Sequence, residues 1–246
     1  MDKFLYADLR PQEFRERLAA APIAYLPLGT LEWHGEHLPL GSDGIQSQGF
    51  FLELAREVGG IVLPMLFLGP DRACPDSNGR ELYGMDCADW GGHIYQPQQL
   101  VGSAYWLPDS TFQLLLEAVL KQLARAGFRI VVAHGHGPST DHFSEHIPEW
   151  RERFGLDCYT CWGSDVDEQG LGIQVDHAAM NETSLVMALR PDLVDLGMLP
   201  ADLNEWPLAV AGQDPRLHAS TELGRKIITL QKERMVGILR AALTKL

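Results

Sequence analysis

The sequence predicts an α/β fold: a mostly parallel sheet with helices on both faces. Two observations carry this. Strand-length apolar runs alternate with segments of helical period along the 246 residues. The chain also shows no repeat, low-complexity tract or clear linker. With 46% apolar residues it can fill one large core, so residues 1–246 are read as a single domain.

In order, "IAYLPLG" (23–29) reads as a buried strand, and "GIQSQGFFLELAREVG" (44–59) as a helix ending at Gly59-Gly60. "IVLPMLFL" (61–68) is the next strand. "DSTFQLLLEAVLKQLARAG" (109–127) is a strong helix, capped by Asp109 or Ser110 and stopped by Gly127. "FRIVVAHGHG" (128–137) is a buried strand entering a glycine turn, and "LDCYTCW" (156–162) a weaker strand. "NETSLVMALRPDLV" (181–194) is a short helix stopped by Pro191, and residues 220–246 form a closing amphipathic helix. Residues 70–108, rich in Gly, Pro, Asp and aromatics, are expected to be a long functional loop, a lid or a subunit contact. Its aromatics (Tyr83, Trp90, Tyr95, Tyr105, Trp106) could face a planar or apolar group, but packing of the loop is the favoured reading.

The net charge of −13 argues against nucleic-acid binding, which needs clustered Lys and Arg. No run approaches the ~20 apolar residues of a membrane span, and the N-terminus has no signal-peptide pattern. A cytoplasmic location follows by default. The four cysteines (Cys74, Cys87, Cys158, Cys161) are expected to be unlinked thiols in a reducing compartment.

The chemistry concentrates in "LEWHGEHLPLGSDG" (31–44), which places Glu32, His34, Glu36, His37 and Asp43 within twelve positions. In open α/β sheets, ligands sit beyond the carboxyl ends of strands. This segment and "AHGHG" both lie there. Glu32 and His34 are an i, i+2 pair that points one way in extended chain. His134 and His136 are a second such pair. An isolated Glu-x-His is a weak signal, but together with Asp43 and a second His-rich turn it points to a metal. Carboxylates with imidazoles suit zinc, manganese or iron, and the absence of thiolates argues for a catalytic rather than a closed structural site. "VDHAAMNETS" (175–184) adds Asp176, His177 and Glu182 as a plausible third wall. Taken alone, Asn181 could be an N-cap and Glu182 a first-turn carboxylate.

Three segments, in order, resemble the creatininase family of metal-dependent amidohydrolases. "LPLGTLEWHGEHLPLGSD" is similar to its Glu-x-His-Gly-x-His-Leu-Pro signature with a following Asp. "GFRIVVAHGHG" is similar to its Asn-Gly-His-Gly strand end, and "DHAAMNETSLVMALRPDLVDL" to its His-Ala-Gly-Glu-x-Glu-Thr-Ser helix. The resemblance implies a three-layer α/β/α sandwich and two divalent metals, usually zinc or manganese. It also implies a homo-oligomer, often a hexamer, and hydrolysis of a non-peptide C–N bond in a small molecule. By position, Glu32, His34, Asp43 and His136 match the metal ligands, Asp43 as the bridge, and His177 matches a histidine beside the reacting amide. A hydroxide between two ions ~3.5–4 Å apart would attack the amide carbon. His177 would protonate the leaving nitrogen.

The departures are specific. His134 stands where Asn is usual. Pro138 stands where creatininase has a second-metal glutamate, for which Glu182 could substitute. Met180 and Ala179 replace a frequent Glu and Gly, and the segment before 109 lacks the family's Phe-Pro-Gly-Thr. These changes point away from creatinine as substrate. They keep open a one-metal or non-catalytic binding protein, and a mononuclear lyase-like centre. His37 is read as orienting a ligand or the loop, and Glu36 as solvated.

Overall fold

The computed structural model describes residues 3–87, 89–90 and 93–246. Helix α1 (Pro11–Ala20) leads into β1 (Ile23–Leu28), α2 (Ser42–Val58) and β2 (Ile61–Val62). Two small antiparallel pairs follow: β3 (Ala73–Pro75) with β4 (Glu81–Tyr83), and β5 (Asp89–Trp90) with β6 (His93–Ile94). Then come α3 (Asp109–Ala126), β7 (Ile130–Gly135), α4 (Gly137–Glu145), α5 (Ile147–Phe154) and β8 (Asp157–Tyr159). The chain ends with α6 (Ser164–Asp167), α7 (Met180–Leu189), α8 (Pro215–His218) and α9 (Thr221–Leu243).

The central sheet has the order β2–β1–β7–β8, and all its pairings are parallel. Successive strand side chains point to opposite faces, and the core divides accordingly. Ile23, Tyr25, Ile130 and Val132 pack with Phe50, Phe51, Leu54, Leu185, Ile227 and Leu239 from α2, α7 and α9. Ala24, Leu26, Leu28, Val131 and Ala133 pack on the other face with Phe112, Leu116, Phe143 and Trp150 from α3, α4 and α5. Each fully buried Leu, Ile, Val or Phe among them contributes roughly 1.5–3 kcal/mol. The result is the expected three-layer α/β/α arrangement around a mostly parallel sheet.

Several elements differ from the sequence reading. The run 61–68 pairs as a strand only at Ile61–Val62, because Pro64 has no N–H for the ladder. One isolated bridge, Leu28 to Leu66, continues it. Helix α2 starts at Ser42, so Asp43 lies inside its first turn rather than before it. Pro108, not Asp109 or Ser110, is the N-cap of α3. Ala179 takes that position in α7, leaving Asn181 inside the helix. Helices α1, α4 and α5 were not anticipated; each is short, with a proline near its start instead of a long apolar stripe.

The cysteine expectation is corrected. Cys74 and Cys87 form a disulfide, while Cys158 and Cys161 are free and buried. The pair is distant in sequence, but the β3–β4 hairpin folds the chain back and brings the Cα atoms within 6.2 Å. The bridge closes the segment 70–108 on itself between residues 74 and 87. That segment also holds the motif through its own backbone. Ala104 pairs with Leu31, and Trp33 donates to Val101 O at 2.8 Å and to Ser103 Oγ at 3.1 Å. Among its aromatics, Tyr83 stacks on Trp106, Tyr95 donates to Met85 O, and Tyr105 is 58% exposed. The side chain of Trp90 lies outside the described residues. No helix among the described residues is long and apolar enough to cross a membrane.

Register places the functional ends together. Leu28 pairs with Gly135, so the chain leaves β1 towards Glu32 beside the point where β7 delivers His136. Gly135 has φ +152°, and a Cβ there would lie 1.6 Å from Leu28 O. Gly79, at φ +76°, has open space around it. Gly79→Ala is therefore expected to cost only the backbone strain, about 1–2 kcal/mol. Gly135→Ala must open the β1–β7 pairing and is expected to leave little soluble protein or a far lower Tm. Equal melting temperatures for the two variants would contradict this reading of the strand ends.

Candidate metal centre

Beyond the ends of β1 and β7, five side chains from three segments converge: Glu32, His34, Asp43, His136 and Glu182. All are at least 96% buried. Ligand-type atoms of Glu32, Asp43 and His136 lie within 4.8 Å of one another, and so do those of His34, Asp43 and Glu182. Asp43 belongs to both groups. A third group joins Glu32, His34 and His177.

Backbone carbonyls fix the imidazoles. His34 Nδ1 donates to Glu32 O at 3.1 Å, which leaves Nε2 facing Asp43 Oδ1 at 3.3 Å and Glu182 Oε2 at 3.5 Å. His136 Nε2 donates to Pro70 O at 3.2 Å, with Asp71 Oδ2 at 3.4 Å, and Nδ1 faces Asp43 Oδ2 at 3.3 Å and Glu32 Oε2 at 3.5 Å. A carbonyl can only accept, so each ring presents its other nitrogen to carboxylates. Metal-binding histidines are commonly oriented this way.

The carboxylates are held as firmly. Met85 N donates to Glu32 Oε1 at 3.3 Å, and Ala178 N to Glu182 Oε2 at 2.8 Å. Asp176 accepts N–H groups from Asn181 (2.7 Å) and Glu182 (3.0 Å), which fixes the first turn of α7. Gly84 closes the wall: at φ +52°, its Cβ would fall 2.5 Å from Glu32 Oε1. Among the described residues, Gln174, which lines the cavity at the centre, Ala178, which donates to Glu182, and Ala209 have positive φ without being glycine. Ala209 O receives Gly35 N at 3.1 Å.

Electrostatics show what the protein alone leaves unresolved. Burial pushes Glu32 up to about 8, against the opposing charge of His136, and pushes Glu182 well above the carboxylate range. Burial works against charge on His34, yet Asp43 and Glu182 hold it at about 10. Burial would also raise Asp43, but His34 and His136 keep it well below its ordinary value. Asp43 Oδ2 is buried without a hydrogen-bond partner; the His136 contact is an ion pair only. Mixed oxygen and nitrogen donors around an orphaned, buried carboxylate oxygen fit divalent cations of the zinc or manganese type.

The remaining candidates separate. His177 Nε2 donates to Trp33 O at 2.7 Å, and its ring stacks on His34 at 4.3 Å. His37 bonds Thr183 Oγ1 at 2.8 Å and so ties the motif loop to α7. Glu36 is exposed. His134 donates to Ile173 O at 2.9 Å, faces Trp162 edge-on and lies outside the ligand groups. The buried thiols are poor nucleophiles, since burial raises Cys158 to about 12 and Cys161 further. The sequence reading missed Asp71 and Gln174. Asp71 had a signal, since it follows a third strand-like run as Glu32 and His136 follow theirs. Gln174 had none.

A cavity of about 810 Å³ opens onto the centre, lined also by Asp71, Arg72, Met85, Trp162 and Gln174. This fold and centre define an α/β/α protein built around a buried carboxylate–imidazole cluster. The family model for creatininase (creatinine amidohydrolase) matches residues 7–79 and 91–238, and the chain belongs to that family. It is 26% identical over 208 residues to the creatinine amidohydrolase of Pseudomonas putida, covering 77% of this chain and 73% of that one. A crystal structure of creatinine amidohydrolase superposes with a TM-score of 0.73 at 23% identity, over 97% of each chain. A putative creatinine amidohydrolase from Bacteroides fragilis gives 0.68 at 20% identity, over 97% of this chain and 96% of that one.

One consequence concerns pH. Burial lowers His37 and His134 to about 4, and burial with the charge of His34 lowers His177 to about 3. Between those values and the ordinary 6.5, the unfolded chain binds protons that the fold does not. These groups therefore withdraw stability as pH falls below about 6.5. His134→Asn is expected to flatten the fall of the metal-free protein's Tm between about pH 6.5 and 4. An unchanged slope would remove His134 from this account.

Proposed function

We propose that this chain is a metal-dependent hydrolase of a non-peptide C–N bond, such as an amide, cyclic amide or formamide, in a small molecule. The observation that carries the reading is Asp43: one buried carboxylate shared by two ligand groups, with an oxygen that no protein donor satisfies. Glu32, Asp43 and His136 would hold one divalent ion, and His34, Asp43 and Glu182 a second. Glu182 thereby supplies the carboxylate that Pro138 cannot. Zinc and manganese name two of the superposing creatininases, a Zn-Zn type mutant and a Mn form, and both ions suit these donors. When bound, the ions would polarise a carbonyl and bring the pKa of water down to ~7.

The chain's own groups then manage protons and position. His177 has committed its Nε2–H to Trp33 O, so Nδ1 is its accepting atom. His177 would pass a proton to the departing nitrogen, the role the sequence reading assigned it. The Trp106 ring lies 5.9 Å from that of His136, which Asp71 from the same 70–108 segment also faces. Asp71, Arg72, Gly84 and Met85, all from that segment, line the cavity. Because this segment departs from the family's pattern, it supports a substrate other than creatinine. Exposed Val101 and Tyr105, with Leu40 beside Gly102, make an apolar tip that fits a homo-oligomer, a hexamer by the family resemblance.

A panel of cyclic amides, formamides and lactams is expected to show turnover that chelator abolishes and zinc or manganese restores. His177→Ala should lower kcat by ~10²–10⁴ with the metal retained. Full activity in that variant would end the proton-transfer role. A fully metallated protein that turns over none of the panel would instead indicate a binding function. Light scattering should give a mass well above the 27.4 kDa chain; a monomer at micromolar concentration would refute the oligomer.

A further inference from the structure

We propose that Gln174 is a positioning residue of the centre, whose amide fixes the shared carboxylate of Asp43. The inference rests on the metal reading above. Gln174 Nε2 lies 3.0 Å from Asp43 Oδ1 and 3.2 Å from Asp43 O. Both partners can only accept, so the NH₂ end of the amide must face them. The other end, Oε1, lies 2.8 Å from Ser47 Oγ, one turn further along α2. Gln174 thus grips the same turn of α2 that carries Asp43, and it holds the Oδ1 side while Oδ2 faces His136 without a hydrogen bond.

The backbone shows that this grip is imposed. Gln174 is 6% exposed and has φ +55°, a conformation that a residue with a Cβ adopts at a cost. Its neighbours hold it there. Ile173 O receives His134 Nε2 at 2.9 Å, Val175 N donates to Asn181 Oδ1, and Asn181 Nδ2 donates to the carbonyls of Gly170 and Gly172 at 2.9 Å. This gives His134, at the position where the family usually has Asn, a task. From the end of β7 it braces the segment that carries the amide to Asp43. Buried second partners of this kind set both ligand orientation and metal affinity.

Gln174→Gly deletes the amide while relaxing the positive φ, so the metal-free fold should persist by circular dichroism. Gln174→Met keeps the volume without a donor and decides the question if the glycine variant does not fold. Zinc affinity is read by chelator competition, and geometry by the visible absorption of the cobalt-loaded protein. Zinc binding is expected to weaken by about 10–100-fold, with altered cobalt bands. Wild-type affinity, or weaker binding with an unchanged cobalt spectrum, overturns the positioning role and leaves the metal reading intact. A wild-type protein that takes up neither zinc nor cobalt overturns both.

Discussion

The burial of Asp43 between two imidazoles is the interaction on which the site depends. A carboxylate taken out of water is costly unless it is paired and hydrogen-bonded. Here His34 faces one oxygen, His136 the other, and the first turn of α2 carries the group. Everything nearby serves to keep those three aligned. The carbonyls of Glu32 and Pro70 set the two rings, and parallel pairing of β1 with β7 sets the distance between the segments that bear them. Without cations the cluster is frustrated: Glu32 and Glu182 resist ionisation and one Asp43 oxygen lacks a hydrogen bond. A binding site that is uncomfortable when metal-free is what a cation can stabilise.

The walls around this cluster come from distant parts of the chain, and each is locked by backbone contacts. The 70–108 segment pairs with Leu31, grips Trp33 and is stapled by Cys74–Cys87. From the other side, His177 and Ala211 exchange backbone hydrogen bonds. The region after α7 is pinned by Arg216, which pairs with Asp214 and donates to the carbonyls of Pro200, Asp202 and Glu205. Positive φ at Ala178 and Ala209 belongs to the same pattern. Strained conformations persist where surrounding structure over-determines them, and they gather at functional sites.

What the sequence determined by itself is the part that local physics encodes. Apolar runs of strand length, alternating with helical periods, fixed the α/β class and most of its core elements. Strand ends followed by Glu-x-His and His-x-His marked the place where charged groups would be buried, because side chains two apart share a side of extended chain. Glu32, His34, Asp43, His136, Glu182 and His177 could be named from those patterns and from the family resemblance.

What only the tertiary structure decided is everything that depends on two segments meeting. Pro64 ended a strand that periodicity alone would have continued. Hairpin folding joined Cys74 to Cys87, which spacing and compartment had kept apart. Asp71 reached His136, and Gln174 reached Asp43 across 131 positions of sequence. No local pattern announces such contacts, because a glutamine in an irregular segment has no period. Its role is written in the partner it meets, and that partner is chosen by the packing of α2 and α7 on the same face of the sheet.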